Sequence, residues 1–127
     1  MQVKMKEILG YLNFYEAVRD QKIPLKIAYK LAQLSKAIEA EISFYQDKLR
    51  EIITEYGELD ENGNPIPSES GNGIMLRKGV EEECYKAMQE LEEIEVTLPD
   101  VKLTIDELEK LQLTIVEMNY MMPFLAD

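Results

Sequence analysis

Asp60, Glu61, Asn62 and Asn64 set four oxygen-bearing side chains within five positions, the density of hard ligands that calcium seeks. The EF-hand pattern needs acidic or amide residues at loop positions 1, 3 and 5, glycine at 6 and a bidentate Glu at 12. Counted from Asp60, the sixth residue is Pro65 and the twelfth is Gly71, so the segment reads as a turn and no metal is expected. A second acidic group lies downstream: Glu81, Glu82, Glu83, Glu90, Glu92, Glu93 and Glu95. Two of them would serve as an acid and a base only in an apolar cleft that separates their pKa values, and a solvated helix face offers none. Cys84 falls on the apolar stripe of that helix, and the chain has no histidine to activate its thiol. It reads as a small buried hydrophobe. No catalytic residue and no cofactor is expected.

The elements that position these side chains are mostly helical. Ile27, Leu31, Leu34, Ile38, Ile42, Tyr45, Leu49, Ile52 and Tyr56 form an apolar stripe of eight steps over 29 residues, about 3.6 per step, without an intervening Gly or Pro. This predicts one helix of about 30 residues, about 45 Å long at 1.5 Å per residue. A helix of that length must project from a small domain or find a partner, which makes self-association an expectation. Pro24 fits its first turn, where a missing N–H costs nothing.

Upstream, Met5, Ile8, Leu9, Leu12, Tyr15 and Val18 predict a first helix within residues 3–20, folded back on the long one, with a strand over Gln2–Met5 as the alternative start. From Gly57 to Gly79 the texture changes, with five of the six glycines and two of the five prolines. Asn62-Gly63 and Asn72-Gly73 are turn dipeptides, and Ile66 and Ile74-Met75-Leu76 would pair as a small hairpin or stay a loop that orders on a partner. Val80, Cys84, Ala87, Met88, Leu91 and Ile94 define a third helix, opened by three Glu that suit the positive end of its dipole. Glu95–Leu98 and Val101–Leu103 alternate as short extended segments. Thr104-x-x-Glu107 has capping-box spacing and opens a last helix through Leu108, Leu111, Ile115, Met118 and Met122, stopped by Pro123. The expected fold is mainly α: about four helices, one of them long, in a single domain of residues 1–127 with a hairpin or loop insertion at 57–79.

Composition narrows the function. The 127 residues suit one domain, and no apolar run reaches the roughly 18 residues of a membrane span. The opening segment carries Glu7 and Glu16 and no cleavage site, so it does not read as a signal peptide. A lone cysteine suits a reducing compartment. The net charge of −11 argues against direct contact with nucleic-acid phosphates. Residues 1–50 carry 9 Lys and Arg against 6 Asp and Glu, whereas residues 51–127 carry 5 against 19. That acidic half is either a solvated surface or one that meets a basic protein or imitates nucleic acid.

Seven tyrosines and a Met-rich end, MNYMMPFLAD, remain. The end either docks, with methionines filling gaps against the long helix, or binds a partner. The candidate partner-binding residues are Tyr45, Leu49, Ile52 and Tyr56 on the long helix, Ile74 and Leu76 on the hairpin, and Met121, Met122 and Phe124 at the end.

The junction Glu55-Tyr56-Gly57-Glu58-Leu59-Asp60-Glu61-Asn62-Gly63-Asn64-Pro65 resembles a family of small uncharacterised phage and prophage proteins that carry a domain of unknown function. The Ile23-Pro24-Leu25-Lys26-Ile27-Ala28-Tyr29-Lys30 entry, the Asn72-Gly73 turn and the Glu95-Val96 segment are similar to that family too. The resemblance implies a phage or prophage origin, action in the bacterial cytoplasm or on the virion, and a helical protein with a central hairpin. It carries over no functional residue. The expected function is protein–protein interaction without catalysis, as an accessory structural or assembly factor, with an acidic inhibitor of a host defence system as the alternative.

Overall fold

A computed structural model describes residues 1–71 and 73–126. The chain forms two compact units, Met1–Glu41 with Ile94–Asp127, and Ile42–Glu93.

The first unit starts with β1 (Gln2–Lys4) and α1 (Met5–Val18). Glu7 Oε1 accepts the Lys4 N–H at 2.7 Å and so closes the start of the helix. The buried face of α1 is Met5, Ile8, Tyr11, Phe14 and Val18. It is rotated from the expected stripe: Leu9, Leu12 and Tyr15 are half-buried while Tyr11 and Phe14 are fully enclosed. Aromatic packing accounts for the rotation, because the Tyr11 ring stands 5.5 Å from that of Phe124 and 6.2 Å from that of Phe14.

α2 (Leu25–Tyr56) begins directly after Pro24, whose carbonyl accepts the N–H groups of Ile27 and Ala28. Ile27, Leu31, Leu34 and Ile38 form its buried stripe in this unit. Tyr11 ties α1 to it by donating its hydroxyl to the Leu31 carbonyl at 2.8 Å. The extended alternative at the chain start is realised. β1 pairs antiparallel with β2 (Glu95–Thr97) in the register Gln2↔Thr97, Val3↔Val96 and Lys4↔Glu95, which turns Val3 and Val96 into the core.

The single last helix expected from the Thr104 box is two helices, α4 (Ile105–Glu109) and α5 (Ile115–Tyr120), followed by a 3₁₀ turn at Met122–Phe124. The break has a cause outside the segment. Gln21, from the connector between α1 and α2, accepts the Gln112 N–H at 3.1 Å and donates to the Gln112 carbonyl at 3.2 Å. Both backbone groups of Gln112 are thereby withdrawn from helical pairing. Thr114 then opens α5 with a second capping box: its hydroxyl accepts the Glu117 N–H and Glu117 Oε1 accepts the Thr114 N–H.

In the second unit, Ile42, Tyr45, Leu49, Ile52 and Tyr56 of α2 are half-buried. α3 (Glu81–Glu92) belongs to the same unit, and its charges act on that stripe: Glu92 on the Tyr45 phenol, Glu83 and Glu90 on that of Tyr56. Between the helices, Gly57 bridges Leu76, Leu59 bridges Pro65 and Pro67 bridges Ile74, all antiparallel, so this stretch is paired as the hairpin reading expects. Gly57 fits a tight crossing, because a Cβ there would stand 2.5 Å from the Ile53 carbonyl oxygen and 2.9 Å from Ile74 Cδ1. Asn72 of the second turn dipeptide lies outside the described residues. Among the described residues no helix is long and apolar enough to cross a membrane.

Candidate functional site

The acidic segments come first. Asp60 Oδ1 accepts the N–H groups of Asn62 and Asn64, both at 2.9 Å, and Gly63 completes the turn at φ 80°. This carboxylate organises a turn. Glu81, Glu82 and Glu83 are exposed on the first turn of α3, and Cys84 is half-buried behind them. No three His, Cys, Asp or Glu side chains converge as a metal-holding group among the described residues.

The expected partner-binding residues divide by position. Tyr45, Leu49, Ile52, Tyr56, Ile74 and Leu76 are all in the second unit and all half-buried, so they hold that unit together and present edges, not whole side chains. Desolvation raises the Tyr45 hydroxyl pKa, and the charge of Glu92 adds to the shift. Met121 and Phe124 are core residues of the first unit, with Phe124 on Tyr11 and the Phe124 carbonyl accepting the Leu103 N–H at 2.9 Å. Their burial takes them off any binding surface. Residues 121–124 therefore dock, and Phe124 meets an aromatic partner on α1, Tyr11. Met122 is 57% exposed and, with Gly10, Tyr120 and Pro123, lines a pocket of about 420 Å³.

The break between α4 and α5 opens an apolar groove of about 330 Å³, within the size range of ligand-taking pockets. Its walls are Ile105 and Leu108 from α4, Leu111 and Leu113 from the link, and Ile115 and Met118 from α5. Leu108 and Leu111 are buried at the floor. Ile105 is 58% exposed and Ile115 83% exposed at the rim, and Val116, also 58% exposed, follows on α5. Ile105 and Ile115 thus leave large aliphatic side chains in water beside a concave apolar floor. Glu109 is the only charged side chain in the lining, with Thr114 and Asn119 as its polar members.

A polar tie holds α4 in place. Lys30 of α2 donates to the Lys102 carbonyl at 2.9 Å and to Glu107 Oε1 at 2.8 Å, while Glu107 Oε1 also accepts the Thr104 N–H. The hydrogen bond from Lys30, then that from Thr104, lowers the Glu107 pKa below the usual carboxylate value.

The reading of the last segment as one helix hides this groove, and the signal that exposes it is Thr114-x-x-Glu117, a capping box like the one ten residues earlier. No family model matches this chain, and no curated protein or solved structure is detectably similar to it.

Proposed function

We propose that this chain is a non-enzymatic protein-interaction factor of phage or prophage origin, acting in assembly, and that the α4–α5 groove is its docking surface. The observation that supports the docking surface is the exposure of Ile105 and Ile115 beside a buried apolar floor in a strongly acidic protein. The phage origin rests on the sequence resemblance at the Gly57 junction, and the assembly role on the long helix and the hairpin as docking elements. The test is affinity capture from phage-producing bacteria with the tagged protein and with Ile115→Asn, at low and high salt. Capsid or tail proteins recovered with the parent chain, retained at high salt and lost with the variant, are the expected outcome.

A second reading has one observation in its favour. The Ile42–Glu93 unit holds 13 Asp and Glu against 5 Lys and Arg, a net charge of −8. An inhibitor that fills a basic channel of a host defence protein would use that surface, and its capture would be unaffected by Ile115→Asn and lost steeply with salt.

A further inference from the structure

We propose that Asn62 is a latent modification site: its side-chain amide is lost by cyclisation onto the Gly63 nitrogen, and the turn that Asp60 organises holds that reaction back until the hairpin tip opens. The chemistry needs only this pair of residues and water. Gly63 has no side chain to hinder the approach of its nitrogen to the Asn62 Cγ, and both residues are exposed. The Gly63 nitrogen bonds to Cγ, the Cγ–N bond of the amide breaks, and the amide nitrogen leaves as ammonia with the proton that Gly63 gives up. One water then opens the five-membered imide at either carbonyl, leaving an aspartate or an isoaspartate whose backbone runs through the former side chain. Asn64 carries the same amide but precedes Pro65, which has no N–H to give up.

The closed turn opposes ring closure. The Gly63 N–H donates to the Asp60 carbonyl at 3.0 Å, and neither Glu61 nor Asn62 has a positive φ. A turn with that hydrogen bond and negative φ at both central residues is type I, which sets ψ of Asn62 at about 0°. At that ψ the Gly63 nitrogen eclipses the Asn62 nitrogen, whereas the imide ring requires it to eclipse Cβ. A large rotation about the Asn62 Cα–C bond must therefore precede the reaction, and it breaks the Gly63–Asp60 hydrogen bond. Asp60 also resists it from its side chain and its own N–H: Oδ1 accepts the N–H groups of Asn62 and Asn64, both at 2.9 Å, and the Asp60 N–H donates to the Asn64 carbonyl at 2.8 Å. Conversion adds one negative charge to a unit that already carries −8, and the longer isoaspartyl backbone does not fit a turn closed by the Leu59–Pro65 bridge. Each conversion thus makes an opening of the tip permanent.

The test follows the amide-to-acid change by mass spectrometry in the full chain, in its Asp60→Ala and Asp60→Asn variants, and in a free peptide of residues 57–67, all kept in neutral buffer. A Glu-specific protease releases residues 62–69, in which Asn62 and Asn64 are the only side-chain amides. The expected result is conversion of Asn62 in the parent at least about 10-fold slower than in the peptide, since it proceeds only from the opened turn. Asp60→Ala should convert about 3-fold or more faster than the parent, and Asp60→Asn, which keeps an acceptor oxygen, within about 2-fold of it. Asn64 should stay unconverted throughout. Asp60 is exposed, so hydrogen exchange along α2 should match the parent in both variants.

Conversion of the parent as fast as the peptide overturns the protecting turn. A slow parent with an equally slow Asp60→Ala overturns Asp60 as its organiser. Conversion of Asn64 in step with Asn62 overturns the cyclisation, because direct hydrolysis would not distinguish them. If Asp60→Ala also speeds exchange along α2, Asp60→Asn decides against the peptide: a rate at least about 10-fold slower supports the guarded site, and an equal rate overturns it.

Discussion

Tyr11 shows how much one hydroxyl contributes in a small core. Its single proton goes to the Leu31 carbonyl, so the Ser35 hydroxyl at 2.8 Å must be the donor in their bond, and both hydrogen bonds lie between α1 and α2. Burial pushes its pKa up to about 12, against the lowering effect of the Ser35 bond, so the phenol stays neutral and keeps donating at any ordinary pH. Tyr11→Phe keeps the ring against Phe124 and removes only this pairing. Denaturant unfolding should show a loss of about 1–2 kcal/mol. Ser35→Ala should cost less, because the Leu31 bond survives, and equal losses would assign the effect to the Ser35 bond. Glu107 behaves oppositely with pH. Its folded pKa lies below its unfolded value of about 4.3, so its contribution is fully present above that value and disappears as pH falls through the folded pKa. At pH 7 Glu107→Gln should be less stable than the parent by about 1 kcal/mol, the sum expected of a partly exposed ion pair and a weakened cap, and the gap should narrow as pH falls below the unfolded value. A gap that does not narrow at all with falling pH, down to acid unfolding, would mean that the carboxylate charge is not what stabilises α4.

At the scale of elements, the split of the last helix decides whether a groove exists, and α5 is the weak part of it. Six residues do not make a stable helix in water, so α5 depends on its cap and on its seat against α1, where Tyr120 Cδ1 lies 3.2 Å from the position a Cβ would take on Gly10. Thr114→Ala removes the acceptor for the Glu117 N–H and should cost about 1 kcal/mol, read as faster hydrogen exchange at Glu117 and Met118 with α1 amides unchanged. Uniform acceleration across the first unit would show instead that α5 unfolds only with the whole core. The long helix was legible because its determinants are local: a stripe with a 3.6 period, Pro24 at one end and Gly57 at the other. The hairpin bridges followed from glycine and asparagine turns for the same reason. What was illegible depends on partners far away in the chain. Gln21 reaches Gln112 across 91 residues, and Val3 pairs with Val96, and no window of local sequence contains either pair. The groove inherits that illegibility, since its walls are separated by the residue that Gln21 captures. Docking of Met121 and Phe124 was readable from their apolar character, but their aromatic partner on α1 required the rotation that buries Tyr11.

For the whole molecule the dominant fact is charge that the two units do not share equally. The net charge is −11, of which Ile42–Glu93 carries −8, leaving −3 for Met1–Glu41 with Ile94–Asp127. Like charges repel through water over about 10 Å at 0.1 M salt and over about 30 Å at 0.01 M, so crowding 13 carboxylates into the second unit penalises its folded state most when salt is low. The tyrosines of α2 make the same point locally. Glu83 and Glu90 near Tyr56 and Glu92 near Tyr45 bring unpaired negative charge beside half-buried phenols. The core residues confined to the first unit, such as Tyr11, Phe14 and Phe124, are insulated from that penalty by burial, and its few ion pairs include the Lys30–Glu107 tie, which salt weakens. Raising sodium chloride from 0.01 M to about 0.3 M should therefore slow hydrogen exchange across α3 and the Ile42–Tyr56 part of α2, while α1 amides change little or exchange slightly faster. Equal protection gained in both units would show that salt acts through burial of apolar surface, and no gain in α3 would show that its carboxylates are far enough apart for water alone to screen them.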